Sequence, residues 1–387
     1  MTQRIVIVGA GTGGSVLANR LADRLAPEID AGDVEVTLVT ESEMHVYKPI
    51  WLYVAFGQRD PEDGVRPVAD LVDRRVSLRF SRVEAIDVAE KRLSLNGGDT
   101  LGYDYLVVAT GARIVPDEVP GLAETGHDFY SEEGALALRD ALADFTGGHL
   151  VLSVVGTPHM CPAAPLEFVF MADDWFRERG LRDGIDITYT YPIQRVHGKP
   201  TIAEWAAPRM EERDIGIETF FNVESVDPES KVLKSMEGEE LAYDLLVTIP
   251  PHDGVPMIRE AGLGDDGWVE VDKTTLDATH APDVFALGDA AAVPAPKAGS
   301  AAHYQASVVA DRLTSLVRGR TPTATYDGKV VCFLEAGMDE ATFVSFDYAN
   351  EPRLRPESRP VHWAKLAYNE SYWLTARGLL KGVRRHE

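Results

Sequence analysis

The sequence predicts an α/β protein in which two consecutive units of similar plan are followed by a small region of strands and a terminal helix. Three observations carry this prediction. Residues 4–25 read as an apolar strand, a glycine-rich turn and a helix. A Tyr-Asp pair precedes an apolar strand twice, in "YDYLVVATGAR" (103–113) and "YDLLVTIPPHD" (243–253). Between and after these, "VLSVVGTPHMC" (151–161) and "DVFALGDAAAVPAPKAGSAAHYQASVVADRL" (283–313) each bring the chain back to a strand and a turn. At 387 residues the chain exceeds one ordinary core, so two or three domains are expected.

In the first unit, "RIVIVGAGTGGSVLANRL" runs from a strand into Gly9, Gly11 and Gly14, after which Val16, Leu17, Leu21 and Leu25 recur at helical spacing. The next strand, "VEVTLV", ends in Thr40 and Glu41. This is the fingerprint of a Rossmann-like dinucleotide-binding domain. Gly9 makes the tight turn, Gly11 lets the backbone approach a pyrophosphate, Gly14 lets helix pack on strand, and Glu41 takes ribose hydroxyls. The insert "APEIDAGD" stretches the Gly14-to-Glu41 interval beyond the usual spacing.

The second unit begins near residue 150. Laying "GAGTGG" (9–14) over "GTPHMC" (156–161) puts Pro158 on Gly11, Met160 on Gly13 and Cys161 on Gly14. Proline lacks the N–H that a phosphate needs, and methionine adds bulk, so this unit is expected to have lost its nucleotide. "APLEFVFMADDWF" then reads as a helix. From Tyr326 a third region follows, with strands in "GKVVCFLEAG" and "ATFVSFDYA" and an aromatic-rich helix from about Val361 to Leu380.

A net charge of −24 disfavours nucleic acid as a partner. Arginines outnumber lysines 28 to 10, and an acidic, lysine-poor surface resembles that of proteins from salt-loving organisms. The chain enters a strand directly, without a leader, and has no apolar run long enough to span a bilayer, so a cytoplasmic protein or one held on the membrane's inner face is expected. The two cysteines, Cys161 and Cys332, are either buried hydrophobes or a redox pair. No metal site is expected.

The order of turn, ATG strand, second turn, GD strand and C-terminal region resembles the two-dinucleotide-domain flavoprotein disulfide reductases, which are glutathione-reductase-like in fold. Within them the chain is most similar to the sulfide:quinone oxidoreductases, with the flavoprotein subunit of flavocytochrome c sulfide dehydrogenase close behind. The matches are "CPAAPLE" (161–167), "PKAGSAAHYQA" (296–306), "VVCFLEAG" (330–337) and "HWAKLAYNESYW" (362–373).

The resemblance implies an FAD-binding domain from residues 1–120 and 275–325, a second domain over 121–274 and a C-terminal region over 326–387. FAD would be held by Gly9, Gly11, Gly14, Glu41, Lys48, Pro49, Thr110, Gly111, Asp289 and Lys297. It would be non-covalent, since "HDFYSEEG" (127–134) lacks the additional cysteine of some relatives. Sulfide would be oxidised at Cys161 and Cys332, leaving a persulfide on one and a thiolate on the other, with Glu167 as base. The resemblance favours Cys332 as the thiolate facing the flavin and Cys161 as the persulfide carrier, and leaves the reverse open. Glu167 also reads as a first-turn glutamate favoured by the helix dipole. His159 and His197 read as surface residues or proton shuttles. Electrons would pass to a membrane quinone, the protein docking on lipid through Trp363, Leu366, Tyr368, Tyr372, Trp373, Leu374, Leu379 and Leu380 with Lys381, Arg384 and Arg385. A homo-oligomer is left open. The competing expectations are an NADH:quinone oxidoreductase, disfavoured by Pro158 and Met160, and a non-catalytic redox-sensing flavoprotein.

Overall fold

The computed structural model describes residues 2–379. Two parallel sheets organise them. The first has the strand order 284–286, 105–108, 3–8, 34–40, 77–80, every neighbouring pair parallel. The second has the order 215–219, 185–191, 148–154, 245–249, again all parallel. Their central strands are sealed on both faces: Ile5 to Val8 and Leu150 to Val154 are buried, and all of these residues but Ser153 are apolar. The strand 284–286 pairs with 105–108, so the segment after the second sheet closes the first one.

The repeated Tyr-Asp pair has a structural purpose. Asp104 accepts the Arg4 backbone N–H at 2.7 Å, and Asp244 accepts that of His149 at 2.8 Å. Each aspartate therefore caps the edge of the unit's first strand and sets the register of the strand that follows. Before each pair lies a three-stranded antiparallel meander, 83–102 and 223–242, with a register shift at Val83/Ala85 in one and Val223/Ser225 in the other. The duplication extends to the same irregularity in the same place.

The two turns are less alike than the alignment of glycines implied. Three residues (9–11) separate the first strand from its helix, Thr12–Arg24, whereas nine (155–163) separate Val154 from the helix Ala164–Glu178. Gly14 is inside its helix, where a Cβ would collide with the Gly9 carbonyl. Cys161 is in the loop, three residues before its helix. The placement of Cys161 on the position of Gly14 is thus corrected: an enlarged loop, not a glycine exchange, carries the thiol. Its backbone is nevertheless glycine-like, with φ +45°.

The C-terminal strands Val330–Glu335 and Ala341–Phe346 pair antiparallel, and their apolar side chains share one core with the helix Ala164–Glu178. The terminal helix runs Arg359–Ala376, slightly earlier than its aromatic pattern indicated. Behind the cysteine loop, Asp173 is fully buried and is met by Arg182 at 2.6 Å, Arg177 at 2.9 Å and Arg213 at 2.9 Å. Arg213 also reaches Asp174 and the Ala336 carbonyl, while Asp174 accepts the Met338 N–H. This clamp ties the 335–338 turn to the cysteine-loop helix.

Burial alone would push Asp173 up, but the three guanidinium hydrogen bonds hold it below the usual carboxylate range. Its contribution to stability is therefore present above the unfolded-state value of about 4 and is lost as pH falls below it. Asp173→Ala strands Arg182 and should cost about 3–5 kcal/mol, read as a lower denaturation midpoint at pH 7, with the difference from the parent protein shrinking on acidification.

Candidate active site

The dinucleotide cradle forms where the first strand meets its helix. Gly11 is the N-cap of Thr12–Arg24, no side chain caps that end, and nothing lies within 4 Å of the Cβ it lacks. The open N-terminus of a 13-residue helix is a ready site for a pyrophosphate. Thr110 Oγ1 is buried without a partner beside Gly111, whose φ is +74°. Asp289 is in the 3₁₀ turn Gly288–Ala290, where burial pushes its carboxyl up and Lys297 and Lys48 offset this only in part. Lys48 is pressed down by burial and touches Met160 Sδ at 3.3 Å. Lys297 falls to about 8 for the same reason, donates to the Asp289 carbonyl at 2.6 Å and lies over the Trp268 ring. Pro49 caps the helix Ile50–Ala55. Glu41, just past the strand 34–40, is exposed, with Arg82 at 3.9 Å. An unspent helix terminus, an orphaned hydroxyl and a buried acid with two lysines fit a flavin dinucleotide.

The cysteine loop is laced to this cradle. The Cys161 N–H donates to the Lys297 carbonyl at 2.8 Å, and Tyr130 OH donates to the Met160 carbonyl at 2.9 Å. Cys332, on the strand 330–335, comes to the same neighbourhood, and neither cysteine is in a disulfide. Burial pushes the Cys161 thiol well up, with Glu167 and Cys332 adding repulsion and Lys365 easing it. Cys332 is pushed up to about 12 by burial and Glu167, eased by Lys365 and by a hydrogen bond with Ser300. The structure thus brings Cys161, Cys332 and Glu167 into one neighbourhood.

What sequence reasoning missed is the charge network around Glu167. Glu167 is buried in the first turn of its helix, pairs with Lys365 of the terminal helix, and accepts the Glu335 N–H at 2.8 Å. Lys365 lies 3.5 Å from Glu335, whose carboxylate also accepts from Tyr53 OH at 2.7 Å and pairs with His362 at 2.9 Å. One ammonium serves two buried carboxylates. Glu335, with three partners, is held low despite its burial. Glu167 is raised, because burial and the charge of Glu335 outweigh Lys365. Lys365 remains protonated, desolvation being overcome by Glu167, Tyr53 and Glu335. The signal available in the sequence was the spacing His362, Lys365, Tyr368 and Tyr372, which lines one helical face.

Two expectations are corrected. His159 is buried because the enlarged loop folds inward instead of facing solvent, and His197, between the strand 185–191 and the helix 200–212, is buried with its Nδ1 accepting the Lys199 N–H. The aromatic face of the terminal helix is not uniformly outward. Tyr372 is buried, its OH 2.6 Å from His45 Nε2 and 2.7 Å from Thr12 Oγ1, and its ring stacks on Tyr47 at 4.0 Å. His45, lowered to about 4 by burial, is neutral; its Nδ1–H donates to the Ala10 carbonyl at 2.7 Å, and its Nε2 accepts from Tyr372. The terminal helix is thereby bonded to the pyrophosphate turn. Trp363, Leu374 and Leu379 are exposed at 64%, 45% and 64%. Leu380, Lys381, Arg384 and Arg385 lie outside the described residues.

Residues 3–157 match the family model described as pyridine nucleotide-disulphide oxidoreductase. The mitochondrial sulfide:quinone oxidoreductase of Mus musculus is 26% identical over 361 residues, covering 90% of this chain and 79% of that protein. The sulfide-quinone reductase of Aquifex aeolicus is 24% identical over 408 residues, covering 97% and 91%. The X-ray structure of the Aquifex aeolicus sulfide:quinone oxidoreductase superposes with a TM-score of 0.87 at 21% identity, covering 98% of this chain and 93% of that one. With its cradle, its two parallel sheets and a likeness that runs nearly end to end, the chain is an FAD-dependent flavoprotein that carries a pyridine nucleotide-disulphide oxidoreductase domain and is similar to the sulfide:quinone oxidoreductases.

Proposed function

We propose that this protein oxidises sulfide to sulfane sulfur at Cys161 and Cys332 and delivers the electrons to a membrane quinone. The observation that carries the reading is the convergence of both thiols, from segments 171 residues apart, on one buried acid, Glu167, beside the flavin cradle. FAD, held non-covalently by the unit built from residues 1–120 and 275–325, supplies the two-electron redox couple. Hydrosulfide opens a sulfur–sulfur bond between the cysteines, so that one keeps the added sulfur as a persulfide and the other leaves as a thiolate. Cys161, on the enlarged loop, is assigned the persulfide and Cys332 the thiolate. Glu167, raised by burial, takes a proton from the incoming sulfide or from a thiol. Lys365 keeps the cost of a thiolate in this apolar setting within reach.

The nicotinamide alternative is disfavoured by the loop 155–163, where Pro158 and the buried Met160 take the place of open glycines. Among the described residues no helix is long and apolar enough to cross a membrane. We assign lipid contact at the membrane's inner face to Trp363 and Leu374 on the outward side of the terminal helix and to Leu379 just beyond it.

Under anaerobic conditions sulfide should bleach the flavin and NADH should not; Cys161→Ser and Cys332→Ser should each abolish bleaching while retaining FAD. Wild-type rates in either mutant overturn the cysteine mechanism. Lys365→Met removes the charge that eases both thiols, so flavin reduction should slow at least tenfold and its pH profile should shift upward. An unshifted profile assigns Lys365 to packing alone. Tyr372→Phe breaks the bonds to His45 and Thr12 and should release FAD several-fold faster, measured by flavin fluorescence after dilution.

A further inference from the structure

The reaction above leaves a proton on Glu167, a buried carboxyl, and names no group that returns it to water. Three groups of the surrounding network have no part in that reaction: Glu335, Tyr53 and His362. Glu335 is sealed from solvent. Tyr53, whose OH donates to Glu335 Oε1 at 2.7 Å, is buried and leads no further. His362 differs from both. Its Nδ1 lies 2.9 Å from Glu335 Oε2, while Lys365 lies 3.5 Å from the other oxygen, Oε1. Its side chain keeps 11% of its surface exposed. Its Nε2 bonds to nothing among the described residues, yet it is not cut off from solvent as the partnerless Nε2 atoms of His159, His252 and His303 are. One ring nitrogen thus faces a buried carboxylate and the other is left free.

An imidazole is the side chain that takes a proton on one nitrogen and releases one from the other. We propose that His362 is the relay through which Glu167 exchanges its proton with water, by way of Lys365 and Glu335. The proposal rests on the sulfide reading above and assigns the exit of the proton that this reading places on Glu167. In the transfer, Lys365 gives a proton to Glu335 and takes the one held by Glu167 in return. Glu335 hands its proton to His362 Nδ1, and the ring gives up the hydrogen on Nε2 to water. One proton leaves for each one taken up, and no electron moves. Lys365 remains protonated before and after, between Glu167 and Glu335 and 5.4 Å from the centre of the Tyr53 ring. Glu335 is held low by its partners, so the proton rests there only in passing. The two thiols lie at the Glu167 end of the path. At the His362 end, Arg359 is taken by Asp339 at 2.6 Å.

The test uses the FAD-loaded full chain in weak buffer under anaerobic conditions, with flavin bleaching and the colour of a pH dye followed together after sulfide is mixed in. Below the first ionisation of H₂S, its oxidation to sulfane sulfur yields two protons and two electrons, and flavin reduction takes up both electrons and one proton. One proton per flavin must therefore reach the solvent. In the parent protein dye and flavin should change together. His362→Gln keeps a donor for Glu335 but cannot carry a proton, so bleaching should stay within about twofold while the dye lags about tenfold or more. His362→Ala should show the same lag, and added imidazole should remove it. Proton release in step with bleaching in His362→Gln overturns the proposal, even where His362→Ala is slow, because the hydrogen bond alone then suffices. Equal slowing of bleaching and release, or a lag that imidazole leaves unchanged, overturns it as well and assigns His362 to packing. If His362→Ala does not fold, His362→Gln decides alone. Absence of bleaching in the parent protein overturns the sulfide reading itself, whereas normal bleaching with undelayed release in the variants overturns only the relay.

Discussion

The Lys365 ammonium, shared between Glu167 and Glu335, is the interaction on which the arrangement of this site depends. Its three members come from three separate elements: the cysteine-loop helix, the Cys332 strand and the terminal helix. A buried charge is tolerated only with partners, so none of the three elements can shift without stranding the others. The same ammonium reaches both thiols electrostatically and opposes the burial that keeps them protonated. Position and reactivity therefore have one source. Because two carboxylates share one cation, their affinities for protons separate: Glu335, also bonded to Tyr53 and His362, stays ionised, and Glu167 is left as the readier proton acceptor.

Around that centre the chain uses one architecture twice and alters a single connection. Both units have a parallel sheet, an antiparallel meander with an equivalent register shift, and an aspartate bonded to the first residues of the leading strand. In the first unit a three-residue turn leaves the helix terminus open to a pyrophosphate. In the second, nine residues fill that space with Pro158, His159 and Met160 and lead Cys161 back against the Lys297 carbonyl. A loop that no longer has to follow a phosphate is free to carry a thiol and an inward-facing histidine, His159.

Local patterns were legible in the sequence wherever the physics is local. Apolar runs, the glycine spacing before Thr12 and the Tyr-Asp repeat are set by neighbours within a few residues, and each marks an element that the structure contains. The loop 155–163 was misread in detail because Gly156 invited alignment with Gly9, while the delayed helix start at Ala164 depends on packing that no short window reveals. His159 read as a surface residue for the same reason. Lys365 and Glu335 went unremarked since a lone charge in an apolar stretch gains meaning only from a partner far along the chain; Glu167 and Lys365 are 198 residues apart. The exposed and buried sides of the terminal helix were likewise mixed in one aromatic list, because Tyr372 and Trp363 differ in what they meet and not in type.

That division within the terminal helix bears on how the proposed membrane contact would coexist with a buried reaction centre. Its inward residues are committed: Lys365 and His362 to the two glutamates, Tyr372 to His45 and Thr12, and the Ala376 carbonyl to Asn19. Its outward residues, Trp363 and Leu374, make no such side-chain bonds and remain exposed, as does Leu379 just beyond it. An apolar surface pressed against the outward side gains burial without competing for any inward partner. Loss of the helix from the body, by contrast, would expose the pyrophosphate turn and leave Glu167 and Glu335 buried as two like charges with no cation between them. The inner bonds thus hold the helix to the body on one side and leave its outer face free for the lipid contact proposed above.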